Sequence, residues 1–217
     1  MVKYVKKKMI LTVFMCIVLC GCTPIQKMSL KEVVNNGTER KVSVYNKYRK
    51  GYKYNTPKGL DVLDNTEYNE VIYSSDYIYY LYVDAVSYYN KVIEKYKQNN
   101  SSYVSMPIDY EDKYGYLEIN ELKSGKYLVE IMYNYAKMEV IVKKDDINVV
   151  VANAMSVLTS IKFNNSVLDT YLSEENSQYR EFEFNIFETA STDSQYLQAV
   201  EEDIYDEDEI HDSDLID

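Results

Sequence analysis

The stretch that decides the fold runs from Lys126 to Phe163 and reads KYLVEIMYNYAKMEVIVKKDDINVVVANAMSVLTSIKF. Its first half alternates. Tyr127, Val129, Ile131, Tyr133 and Tyr135 fall on one side of an extended chain and the intervening residues on the other, because successive strand side chains point to opposite faces. The 17 residues Lys126–Val142 are too many for one ordinary strand, so a bend between Asn134 and Lys137 is expected, giving a hairpin. The second half changes period. Ile147, Val150, Val151, Ala154, Val157, Leu158 and Ile161 recur at steps of three and four, the apolar stripe of a helix, with Asp145 or Asp146 to cap it. A helix with such a stripe must lay it on a sheet, and Ser160–Phe163 then reads as a short closing strand.

Further strands lie upstream. Ser102–Tyr110 and Tyr114–Leu122 are extended stretches separated by the polar turn Glu111-Asp112-Lys113. Ile78–Tyr88 is almost entirely Tyr, Val, Leu and Ile, all strong strand formers. Tyr52 and Tyr54 lead into a tight turn at Pro57-Lys58-Gly59, with Leu60–Leu63 as the next extended piece. Before them, Ser29 and Glu32 fit a capping box ahead of Val33 and Val34, in a short helix closed by Asn35-Asn36-Gly37. Downstream, Ser166–Leu172 fits a short helix, and Glu181–Phe187, with Phe182, Phe184 and Ile186 alternating, an edge strand or a strap across the core. These elements predict an α+β fold, an antiparallel β-sheet packed with helices.

The opening Gly51-Tyr-x-Tyr-x-x-Pro-x-Gly59, the strand-rich middle and the late helix running into Ser160-Ile-Lys-Phe163 resemble PsbP-like lipoprotein domains over about residues 45–165. The resemblance implies a sandwich fold. It also implies action of the kind seen in the family's extrinsic subunits, which dock on membrane complexes. It carries over the framework but no metal or ligand residue.

The amino terminus has a secretory layout: Lys3, Lys6, Lys7 and Lys8, then the 11-residue run Met9–Leu19, then small residues. At about 1.5 Å per residue that run covers about 16 Å, against about 30 Å of hydrocarbon, so it does not span a bilayer. Leu19-Cys20-Gly21-Cys22 resembles the lipobox of bacterial lipoproteins, and only Cys22 is preceded by the small residue that the motif requires. The resemblance implies cleavage between Gly21 and Cys22 and a diacylglycerol on the Cys22 sulfur. The alternative is a plain secretory peptide with incidental cysteines. Heavy use of Lys, Asn, Tyr and Ile with six Ala suggests an AT-rich genome, which with the lipobox points to a low-GC Gram-positive bacterium.

All three cysteines, Cys16, Cys20 and Cys22, lie in this segment, leaving the domain no thiol for a disulfide, a metal or catalysis. The expected organisation is a signal peptide (1–21), a lipidated tether with a short helix (22–40), the α+β domain (41–190) and an acidic tail (191–217). Charge divides the same way. The whole chain has 24 Lys+Arg and 35 Asp+Glu, a net of −11, but Glu201–Asp217 alone holds ten acidic residues and no Lys or Arg. A solvated end, weak calcium capture and docking to a basic partner are three readings of that tail.

The acidic balance argues against nucleic acid as a partner. The only histidine, His211, lies in the tail, so neither a catalytic triad nor a zinc site is expected, and six glycines form no phosphate loop. No cofactor is expected. Two features remain. Asp84, Glu118 and Glu130 sit in apolar strands, where two of them about 5–10 Å apart would suit glycan hydrolysis; solvent-facing positions of ordinary strands are the alternative. Tyr77, Tyr79, Tyr80, Tyr82, Tyr88 and Tyr89, with Tyr133 and Tyr135, offer rings that either stack on sugars or fill the core. The leading expectation is a non-enzymatic binding or assembly module. It would be held at the outer face of the cytoplasmic membrane through Cys22 and would contact an envelope protein or a cell-wall component. An envelope glycan hydrolase, or an exclusion or immunity lipoprotein of a mobile element, is the alternative.

Overall fold

The computed structural model describes residues 24–65, 68–74, 76–93 and 95–173. The expected signal segment with Gly21 and Cys22, the expected strand Glu181–Phe187 and the acidic tail lie outside the described residues. In chain order the elements are a 3-10 turn Ile25–Lys27, α1 Leu30–Thr38, β1 Lys47–Arg49, β2 Tyr52–Tyr54, β3 Asp61–Asn65, β4 Asn69–Tyr73, β5 Ile78–Val83 and α2 Ala85–Asn90. There follow β6 Val104–Tyr110, β7 Lys113–Glu121, β8 Tyr127–Tyr133, β9 Ala136–Val142, a second 3-10 turn Lys144–Asp146, α3 Ile147–Leu158, β10 Lys162–Phe163 and α4 Asn165–Ser173.

The protein is α+β, with two antiparallel sheets packed with helices. The large sheet has the order β3-β4-β5-β9-β8-β7-β6, and the small one β1-β2-β10. The β8–β9 hairpin forms where alternation predicts it. Its turn is the two residues Asn134 and Tyr135, at φ +52° and +64°, the left-handed pair that matches strand twist in a two-residue hairpin. On one face Leu81, Met138, Ile131 and Leu117 stand in one cross-strand row and are all buried. The stripe of α3 (Val150, Val151, Ala154, Val157, Leu158) belongs to the same buried cluster, as do Val33 and Val34 of α1. Thus α1, which the sequence places in the tether, contributes to the core. Gly37 permits its close approach to α3, since a Cβ there would lie 2.7 Å from the Met155 Cβ. The capping box forms as read: the Ser29 N–H donates to Glu32 Oε2 (2.8 Å) and the Glu32 N–H to Ser29 Oγ (3.3 Å). All seven residues of β8 are buried, so the sheet is covered on both sides at its centre.

Two expectations are corrected. The extended run from Ile78 ends at Val83, because Asp84 Oδ1 accepts the Ser87 N–H (2.8 Å) and starts α2, making Tyr88 and Tyr89 helical. At the start of α3, Asp146 occupies the capping position but its side chain does not bond the helix; its carboxylate accepts the Tyr77 hydroxyl instead. The tight turn at Pro57–Gly59 forms as expected, and it carries the chain from β2 in the small sheet to β3 in the large one. Strand β4, with Glu70, is a further element that the patterning does not predict.

Candidate functional site

The face of the large sheet opposite α3 holds a row of glutamates. Register places Glu118 opposite Glu130 and Glu130 opposite Glu139, with Ser105 and Tyr80 at the two ends. Directly opposed residues have Cβ atoms about 4.5–5.5 Å apart, so two of the three candidate carboxylates are brought together, while Asp84 is a helix cap elsewhere. They are not open to substrate. Glu118 and Glu130 are each 2% exposed.

The stretch from residue 95 to 103 supplies the reason. Glu118 accepts from the Tyr96 hydroxyl (2.8 Å), Asn99 Nδ2 (3.0 Å), Ser102 Oγ (2.8 Å) and, from its own strand, Asn120 Nδ2 (3.2 Å). The Tyr96 ring stacks on Tyr116 at 4.5 Å, and the Tyr116 hydroxyl donates to Glu130. Lys137 Nζ pairs with Glu139 at 2.8 Å. Burial, with Glu139 and Glu118 alongside, pushes the Glu130 carboxyl above its ordinary range, against the opposing pull of Lys137 and the Tyr116 hydroxyl. Burial and the same carboxylate push Tyr116 upward. Among the described residues no three His, Cys, Asp or Glu are placed to hold a metal.

A carboxyl whose folded pKa lies above its unfolded value holds its proton more tightly when folded. It therefore favours folding below the unfolded value near 4.5, and that advantage is lost as pH rises through the folded value. Glu130→Gln keeps an acceptor for Tyr116 and removes the charge. We expect it to melt a few degrees above wild type at pH 7, with the gap closing toward pH 4, where about 1 kcal/mol corresponds to about 2–4 °C. A lower melting point at pH 7 would show that the ionised carboxylate is held favourably by Lys137.

A second buried carboxylate, Glu70 on β4, joins the two sheets. Arg49 Nη2 (2.6 Å), the Tyr52 hydroxyl (3.0 Å) and the Tyr54 hydroxyl (2.6 Å) all donate to it. Burial and the Glu70 charge hold both phenols in their neutral form, well above the ordinary tyrosine range. Burial opposes the charge on Arg49, but the Glu70 hydrogen bond and charge outweigh it and raise its pKa.

The open surface is different. A cleft of about 550 Å³ lies between the small sheet and the start of α4, and no acidic residue lines it. Tyr48 is opposite Lys53, and Lys162 is opposite Lys53 on the other side, so one face of the small sheet presents Tyr48, Lys53 and Lys162 in a row. Arg49, Tyr52 and Phe163 form the row facing the other way. Phe163 stacks on Tyr88 at 3.8 Å. The sequence carries the signal: residues Arg40 to Lys58 include seven Lys/Arg and no Asp/Glu, interleaved with tyrosines, a local excess hidden by the chain's net −11.

The tyrosines divide between roles. Tyr79 and Tyr133 are in the core, Tyr77 bonds Asp146, and Tyr80 and Tyr82 are half-buried on the glutamate face. Tyr88 and the turn residue Tyr135 meet edge to face at 5.5 Å, and Tyr89 is half-buried on α2. No helix among the described residues is long and apolar enough to cross a membrane. No family model, no curated protein and no solved structure matches the chain.

Proposed function

We propose that the protein is exported, cut before Cys22, tethered by a diacylglycerol on the Cys22 sulfur to the outer face of the cytoplasmic membrane, and acts there by binding or assembly without catalysing a reaction. The address rests on Leu19-Cys20-Gly21-Cys22. Two acyl chains, at about 0.8 kcal/mol per buried CH₂, give durable attachment where one gives only reversible binding. A PsbP-like sandwich is the finer fold reading that goes with this proposal, since the family's extrinsic subunits also act by contact.

The observation that carries the non-enzymatic reading is the closure of the Glu118–Glu130 pair. Acid–base hydrolysis of a glycosidic bond needs a carboxyl within hydrogen-bond reach of the substrate oxygen. Here both groups are buried, with Tyr96, Asn99, Ser102, Asn120 and Tyr116 as their donors, and the open cleft contains no carboxylate. Incubating the purified full chain with isolated cell-wall glycan should therefore release no more soluble reducing ends than the Glu118→Gln chain does. Release by wild type that the Glu118→Gln and Glu130→Gln variants abolish would establish the hydrolase instead.

A further inference from the structure

We propose that the Tyr48–Lys53–Lys162 row of the small sheet is a binding site for the phosphodiester groups of an anionic envelope polymer. The choice of an envelope polymer rests on the extracytoplasmic location proposed above; the anion site itself rests on geometry. Lys53 and Lys162 are direct cross-strand partners on β2 and β10. Residues so placed have Cβ atoms about 4.5–5.5 Å apart, and like charges directly opposite disfavour the pairing, unlike the acid–base pairs that sheets ordinarily use. Neither lysine has an ion-pair partner among the described residues: Arg49 takes Glu70, Lys137 takes Glu139, and the Lys53 ammonium rests 4.3 Å above the Tyr45 ring. A single anion between the two ammonium groups would remove the repulsion and gain charge-assisted hydrogen bonds from both.

The surroundings select the rest of the ligand. Tyr48 is 67% exposed and sits at the end of the row, where its ring offers a flat face to a sugar or polyol. The cleft also carries Asn164, Asn165 and Ser166, whose polar side chains suit hydroxyl-bearing repeat units, beside the rings of Tyr52 and Phe163 and the side chain of Val167. At about 550 Å³ the cleft holds far more than one phosphate group, so a repeat unit with its neighbours fits. With no acidic residue from Arg40 to Lys58, a chain of phosphates meets no local repulsion along this segment. A second groove, about 390 Å³ between α1 and β6, contains Glu39 and Asp109 and lacks this uniform sign.

The test is binding of soluble poly(glycerol phosphate) to the purified full chain at low ionic strength, followed by calorimetry. Wild type should bind, binding should weaken as salt screens the charges, and Lys53→Ala with Lys162→Ala should weaken it at least tenfold. The charge-retaining pair Lys53→Arg with Lys162→Arg should bind like wild type, and melting of the alanine pair at or above the wild-type temperature would exclude a folding defect. No binding of the polymer, equal binding by the alanine pair, or binding confined to phosphatidylglycerol vesicles would overturn the proposal. Because the assay uses purified protein, its failure would leave the anchoring and non-enzymatic readings standing, and failure of those would leave this result standing.

Discussion

Glu70→Ala is expected to lower the unfolding free energy by about 3–5 kcal/mol, the usual cost of removing one partner from a buried ion pair. The loss has two parts. Arg49 would keep its charge with its side chain only 19% exposed, and the hydroxyls of Tyr52 and Tyr54 would lose the acceptor to which both donate. Arg49 already has one buried nitrogen, Nε, without a hydrogen-bond partner, so little local compensation is at hand. The effect is on the joint between sheets, because Glu70 belongs to β4 of the large sheet and its three donors to β1 and β2 of the small one. Urea unfolding monitored by tyrosine fluorescence would measure it. Glu70→Gln, which preserves acceptors while losing the charge, should fall between wild type and alanine. A loss below 1 kcal/mol for alanine would mean that the small sheet is held by Tyr52, Tyr54 and Phe163 packing alone.

How much of this was legible in the sequence depends on the kind of signal each element leaves. The β8–β9 hairpin and α3 are readable because long runs with one period are difficult to satisfy in any other conformation, and Asn134 marks the turn. The capping box at Ser29 and Glu32 is readable because it is wholly local. The end of β5 is not, since Tyr88 and Tyr89 favour strands and only the Asp84 side chain, bonding the Ser87 N–H, turns the chain into a helix. Strand β4 escapes because Asn69-Glu70-Val71-Ile72-Tyr73 hides a buried carboxylate where alternation expects a solvent-facing one.

The candidate site is legible to a similar degree. Glu118 and Glu130 can be picked out as carboxylates in apolar strands, but that they face each other follows only from the β7–β8 register. That they are sealed follows from Tyr96, Asn99 and Ser102, residues from a stretch with no periodic signal of its own. The lysine row is less visible still. Lys53 and Lys162 are over a hundred residues apart and meet only because β10, two residues long, pairs with β2.

Removing the proposed anchor at Cys22 is expected to have an all-or-none effect. On the proposed reading, attachment depends on the Cys22 sulfur, since the sequence after Cys22 contains no cysteine. Without that sulfur there is no site for two acyl chains, and the 11-residue run Met9–Leu19 is too short to replace them as a stable membrane span. The direct measurement is fractionation of cells producing wild type and Cys22→Ala, with the protein quantified in membrane and soluble fractions. Wild type is expected in the membrane fraction and Cys22→Ala released from it. Cys22→Ala retained in the membrane fraction, unprocessed and at normal yield, would contradict the proposed anchor.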